Sequence, residues 1–289
     1  FKKIINRFLF KSNGFKYQNK YTENYNKLID DNMSSDQSLL VGPINYIPKN
    51  LIEDFSLNNT IPVLYSFQDD SIINESNWSG LYFLNYCKRF TNQKIYKNKH
   101  GEESYPGTSR LICKSIQKYN IKNKNIAIIG SQTPWIEAIM YNNQCNSITT
   151  VEYNVPQFSG HEINTISYLD FVETDNKYDM IITFSSIEHS GLGRYGDILD
   201  PSADFKTMEN IYSKLKSDGL LFLGVPIGKD VLVWNMHRVY GEIRLPLLLK
   251  KFKLIDWYGT NPKYISKAKI SLDGKQPLMI LKKIVNLNE

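Results

Sequence analysis

The sequence predicts an α/β fold, a doubly wound and mostly parallel sheet preceded by an N-terminal extension. Three observations predict it. Short apolar runs recur from Asn125 onward, the pattern of strands buried on both faces. Segments with apolar residues at helical spacing separate them. One run, Met180-Ile181-Ile182, ends in a cluster of ionisable side chains, and open sheets of this class build their sites at that carboxyl edge.

Residues 1–100 form the expected extension, either a cap over a pocket or a packing element. The opening stretch, F-K-K-I-I-N-R-F-L-F-K, is basic and amphipathic; it suits a solvated helix or a peripheral membrane contact. It lacks the small-residue cleavage site of a signal peptide. Ile61-Pro62-Val63-Leu64-Tyr65 is a short apolar run, and Trp78 to Phe90 carries helical spacing.

Residues 101–289 form the expected main domain. A helix opens at Thr108 or Ser109 and runs to about Tyr119. Asn125 to Ile129 reads as a strand ending at Gly130. Thr133 then caps a helix with Pro134 at its first position and Trp135, Ile136, Ile139 and Met140 on its buried face. Further strands are expected at Ser147 to Glu152, Thr165 to Leu169 and from Tyr178. A helix over Ala203 to Leu215 is expected to end in a left-handed cap at Gly219. Leu220 to Pro226 reads as a buried strand, and Gly228 to Arg244 as a return over the carboxyl edge of the sheet. Pro246 opens a short helix, and strands at Lys253 to Tyr258 and from Pro277 pair as a hairpin.

Composition excludes some functions. Charged residues make up 22% of the 289 and no apolar run reaches the length of a membrane span. The net charge of +6 favours acidic partners, but its lysines form no block, so no nucleic-acid partner is expected. Cys87, Cys113 and Cys145 are odd in number and widely spaced, which points to a reducing, cytoplasmic setting rather than a disulfide framework.

The chemistry gathers at strand ends. Glu152 stands about twenty residues past Gly130, the spacing from which a carboxylate reaches the ribose hydroxyls of an adenosine. Asp170-Phe171, after another strand, suits an adenine amino group and its ring. After Tyr178 to Phe184 come Ser185, Glu188, His189, Arg194, Asp197 and Asp200, punctuated by glycines.

These pieces resemble a class I S-adenosylmethionine-dependent methyltransferase of the Rossmann type: the strand–Gly130–helix unit, Glu152, Asp170-Phe171, Glu188-His189, and Leu215 to Leu223. More narrowly, S-S-I-E-H-S-G-L-G-R-Y-G-D-I-L-D-P, G-V-P-I-G-K-D and H-R-V-Y-G-E-I-R-L-P resemble a family catalogued as a domain of unknown function in nematodes and microbes. The resemblance implies a seven-stranded sheet whose last strand inserts antiparallel. It implies S-adenosylmethionine at the ends of the first, second and fourth strands, on Gly130, Ser131, Glu152, Asp170, Phe171 and Ser185. The chain departs from the family pattern in one respect. Gly130 is followed by Ser131, Gln132 and Thr133, where relatives carry further glycines.

The expected reaction is O-methyl transfer to a sugar hydroxyl in glycan or nucleotide-sugar biosynthesis. His189 is the expected base, oriented by Glu188 or Asp197, with His237 as second choice. A divalent metal on Glu188, His189, Asp197, Asp200 and His237 is the less favoured variant. Arg194, Arg238 and Arg244 are available to hold a phosphate or carboxylate. The alternatives are a non-catalytic domain of this fold that binds a partner or scaffolds a glycan pathway, and a nicotinamide-dependent enzyme. The latter lacks its glycine motif after the first strand.

Overall fold

The computed structural model describes residues 40–72, 77–92 and 107–284. The opening amphipathic stretch and the boundary expected near residue 100 lie outside the described residues.

The main sheet has seven strands. They are β3 (Asn125–Ile129), β4 (Ser147–Glu152), β6 (Asn164–Ser167), β7 (Tyr178–Phe184), β8 (Leu215–Gly224), β11 (Phe252–Tyr258) and β12 (Leu278–Lys283). Their order across the sheet is β11-β12-β8-β7-β3-β4-β6. The pairs from β8 to β6 are parallel. β12 enters antiparallel to both β8 and β11. This is a doubly wound α/β sheet, with the inserted antiparallel strand the resemblance implies.

Alternation along the central strands explains why they are apolar throughout. Ile126 and Ile128 of β3 enter one core, and Ala127 and Ile129 enter the other. On β7, Met180, Ile182 and Phe184 join the first core and Ile181 the second. Each such aliphatic or aromatic side chain contributes about 1.5–3 kcal/mol on burial. The first core is closed by α2 (Gly80–Arg89), α3 (Thr108–Lys118) and α4 (Trp135–Asn142). Phe171 of α5 (Tyr168–Glu173) and Met208 and Ile211 of α6 (Ala203–Lys214) close the second.

Local signals set most boundaries. Ser79 caps α2, its side chain accepting from the Tyr82 N–H. Gly107, at φ 87°, precedes α3. Two expectations are corrected and a third is filled in. Gly219 is not left-handed, because the chain turns straight from α6 into the extended β8 at Leu215. The strand expected over Thr165 to Leu169 ends at Ser167, where a capping box with Asp170 starts α5. The Gly228 to Arg244 segment contains two strands of its own, β9 (Val231–Asn235) and β10 (His237–Val239).

β9 and β10 form a second sheet with β1 (Val63–Ser66), the apolar run seen near residue 63, and β2 (Asn77–Trp78) pairs with β5 (Gln157–Phe158) in a third. β1 lies parallel to β9, and β10 antiparallel to it. The extension is thereby built into the fold. Ile47, Phe55 of α1 (Ile52–Phe55) and Val63 share a core with Leu192, Leu199, Leu232 and Trp234. The Trp234 indole N–H donates to the Ile44 carbonyl at 3.1 Å. Gly42 and Gly193 touch backbone to backbone, and a Cβ on either would overlap the other. The extension therefore clamps the glycine-rich loop that follows β7.

Candidate active site

A cleft of about 1300 Å³ opens at the carboxyl edge of the main sheet. Its floor is the ends of β3, β4, β7 and β8: Gly130, Glu152, Ser185 and Pro226. The extension adds Asp69, Asp70 and Ile72 to the wall, and the second sheet adds Met236 and His237.

On the β3 side, Gly130 has φ 80°, and a Cβ there would overlap Ser186. The residues after it are held by a buried carboxyl that sequence reading overlooked. Glu137 of α4 is fully buried. Its Oε2 lies 3.0 Å from Ser131 Oγ, and its Oε1 accepts from Thr150 Oγ1 at 2.9 Å. Burial pushes Glu137 up to about 7 despite these hydrogen bonds. The clue was available: a lone acid in W-I-E-A-I-M, an otherwise apolar helix.

Glu152, at the end of β4, faces the cleft from a half-buried position. Burial pushes it up to about 7, with Glu137 adding to the effect and the Ser131 N–H opposing it.

On the β7 side, Ser185 adopts φ 54°, a left-handed conformation rare for serine and characteristic of strained functional turns. Its Oγ donates to Glu188 Oε1 at 2.9 Å and accepts from Gln276 Nε2 at 3.0 Å. Glu188 is fully buried, and burial pushes it up to about 7. Its Oε2 has no hydrogen-bond partner, and neither has Gln276 Oε1. Both residues line the cleft.

His189 pairs its Nδ1 with the Met236 carbonyl at 2.6 Å. A carbonyl only accepts, so Nδ1 carries the proton and Nε2 keeps its lone pair. That Nε2 is 3.8 Å from Glu188 Oε1. Burial drives His189 down to about 3, and the charge of Arg194 adds to this. The imidazole is therefore neutral at physiological pH.

Other expected residues are brought to the cleft with different partners. Asp197 accepts from the Gly191 N–H at 2.7 Å and the Tyr195 N–H at 3.3 Å. It shapes the loop and makes no hydrogen bond to His189, which corrects its expected orienting role. His237 gives its Nε2 to the Leu272 carbonyl at 2.7 Å, and burial lowers its pKa. Arg194 lines the cleft but is bound to Asp70, whose Oδ2 lies 2.6 Å from both its Nε and one terminal nitrogen.

Asp170 and Phe171 are corrected outright. Asp170 Oδ2 accepts from Ser167 Oγ at 2.6 Å, closing the helix cap. Phe171 is fully buried under the sheet, with Tyr178 stacked on it, and has no face to offer a ligand ring. Neither lines the cleft. Arg238 and Arg244 are also buried, bound to Asp204 and to loop carbonyls, so neither is free to hold an anion. Among the described residues no three His, Cys, Asp or Glu side chains come together as a metal site.

A family described as "Caenorhabditis protein of unknown function, DUF268" matches residues 123–284. The chain belongs to that family. The match runs through the whole seven-stranded sheet, from β3 to β12, and includes every cleft residue contributed by the ends of its strands. No curated protein matches the chain.

Solved structures similar to this DUF268 chain include a Burkholderia thailandensis 1,6-didemethyltoxoflavin-N1-methyltransferase with its substrate and S-adenosylhomocysteine. It is 14% identical, with a TM-score of 0.45, over 70% of this chain and 87% of that one. The N-methyltransferase NodS from Bradyrhizobium japonicum, in complex with S-adenosyl-L-homocysteine, is 12% identical. Its TM-score is 0.41, over 70% of this chain and 98% of that one. A ribosomal protein L11 methylase from Lactobacillus delbrueckii subsp. bulgaricus is 12% identical, with a TM-score of 0.38, over 61% and 78%.

Proposed function

We propose that this protein is an S-adenosylmethionine-dependent O-methyltransferase acting on a sugar hydroxyl in glycan biosynthesis. The observation that carries the reading is the convergence of Gly130, Glu152 and Glu188, from the ends of three neighbouring strands, on one cleft.

The residues on the β3–β4 side fit the cofactor. Glu152 is a half-buried carboxyl facing the cleft and already raised towards neutrality, so two ribose hydroxyls donating to it would restore its charge. Ser131, Gln132 and Thr133 line the same wall in place of glycines, and Glu137 fixes the first of them. They would hold the amino-acid part. S-adenosylmethionine, when bound, supplies an electrophilic methyl group.

The protein's own contribution is to place a hydroxyl and take its proton. The best base has a pKa near the working pH. Glu188 meets that condition at about 7; His189, at about 3, does not. We therefore assign proton acceptance to Glu188 and give His189 a positioning role, its ring fixed by the Met236 carbonyl with Nε2 turned to the carboxyl. His237 braces the cleft wall against Leu272. A cytoplasmic setting is supported by the three free cysteines, two of them buried.

Calorimetry with S-adenosylmethionine, S-adenosylhomocysteine and NAD tests the reading. Binding of the first two alone is expected. Folded protein that binds neither would overturn it in favour of a non-catalytic domain, which the side chains after Gly130 would then explain.

A further inference from the structure

The cleft is not uniform along the sheet. Gly130 and Glu152 occupy its β3–β4 side, whereas Ser185, Glu188 and Gln276 gather at the ends of β7 and β12. If the first side takes the cofactor, as proposed above, the second receives the methyl acceptor.

Two acceptor atoms there lack donors. Glu188 Oε2 and Gln276 Oε1 are buried and unpartnered, and both side chains are tied to the same Ser185 hydroxyl. A buried acceptor left without a donor costs about 1–3 kcal/mol of desolvation. Two of them, on side chains that meet at one hydroxyl, would be satisfied by a ligand that brings more than one donor.

Charge narrows the ligand further. Asp70 and Arg194 pair with each other and cancel. That leaves Glu188, Asp197 and Asp273 against Lys275 on this side. The buried Arg238 and Arg244 serve Asp204 and offer no anion a partner. The chain as a whole carries +6, yet the acceptor side is acidic.

We propose that the acceptor is a vicinal diol or amino alcohol carrying no phosphate or carboxylate, with one donor on Glu188 Oε2 and its neighbour on Gln276 Oε1. Nucleotide-sugars and anionic glycans are then excluded from the acceptor side. The inference rests on the methyltransferase reading for the division of the cleft.

The test is saturation-transfer NMR on the full chain with S-adenosylhomocysteine present, using D-glucosamine, D-glucose and D-glucose 6-phosphate as probes. The two unphosphorylated sugars should give signal, and the phosphate none. Gln276→Leu should weaken the glucosamine signal by about 2–10-fold, the value of one hydrogen bond, and leave S-adenosylhomocysteine affinity unchanged by calorimetry. Equal or stronger signal from glucose 6-phosphate would overturn the proposal. So would indifference to Gln276→Leu, or silence from all three sugars on protein that binds the cofactor product. Failure to bind S-adenosylhomocysteine would instead bring down the methyltransferase reading itself.

Discussion

Glu188 and Asp204 stand at the two ends of one loop. Both carboxyls are fully buried, yet their surroundings are opposite. Arg244 grips Asp204 with two hydrogen bonds, at 2.9 and 2.7 Å, and Tyr240 donates to it at 3.0 Å. Burial alone would raise Asp204; Arg238 and Arg244 reverse that and hold it below its usual range. Glu188 has only the Ser185 hydroxyl by way of a side-chain donor, keeps one oxygen unpartnered, and rises to about 7. The difference separates scaffold from site. A buried charge that is fully met fixes structure. One left half met in a cleft costs stability and waits for a ligand.

The comparison is broken most forcefully at Asp204. Asp204→Ala strands two buried arginines, so a loss of about 3–5 kcal/mol is expected in urea unfolding. A loss under about 1 kcal/mol would mean the cluster is not the scaffold of the loop. Arg238 donates to the Ser190 carbonyl at 2.6 Å and Arg244 to the Pro201 carbonyl at 2.8 Å, so the same variant should also loosen the cleft.

Glu188→Gln should behave in the opposite way. Stability is expected to hold or improve, because a desolvated carboxyl disappears. Turnover should fall by about 10²–10⁴-fold once an acceptor is known. Undiminished turnover would return the base role to His189. Glu152→Ala sharpens the picture on the cofactor side. S-adenosylhomocysteine affinity should drop by about 10–100-fold by calorimetry, the value of charged hydrogen bonds to hydroxyls. Unchanged affinity would place the ribose elsewhere.

A further prediction concerns Glu137, away from the open side of the cleft. Its pKa is raised from 4.5 to about 7 in the folded protein. The folded state therefore binds more protons between those values. This contribution to stability is complete below about 4.5 and is lost as pH rises through about 7, by up to about 1.4 kcal/mol per pH unit. Glu137→Gln keeps hydrogen-bonding capacity and removes the titration. Urea midpoints at pH 5 and pH 8 should show a shallower decline in the variant than in the natural chain. Equal declines would show that Glu137 does not carry this proton.

The strand ends were legible because their signals are local. Apolar runs at β3, β4 and β7 fix where each strand stops, and the residue after each stop reaches the carboxyl edge. That placed Gly130, Glu152, Ser185 and Glu188 before any coordinates. Asp170 was misread although its correct role was also local: Ser167-x-x-Asp170 is a capping box, and the helix it starts turns Phe171 under the sheet.

Other features had no local signal. Gln276 reaches Ser185 across 91 positions, and Asp70 reaches Arg194 across 124. Whether an arginine is a ligand hook or a strut depends on what packs around it, and Arg238 and Arg244 look alike in the sequence in either case. The sheet, its strand ends and the residues delivered there follow from the chain's own pattern, because periodicity and turn chemistry act over a few neighbours. Which carboxyls are met and which are left open follows from the folded arrangement alone. Burial and charge pairing depend on residues that the fold, not the chain order, brings into contact.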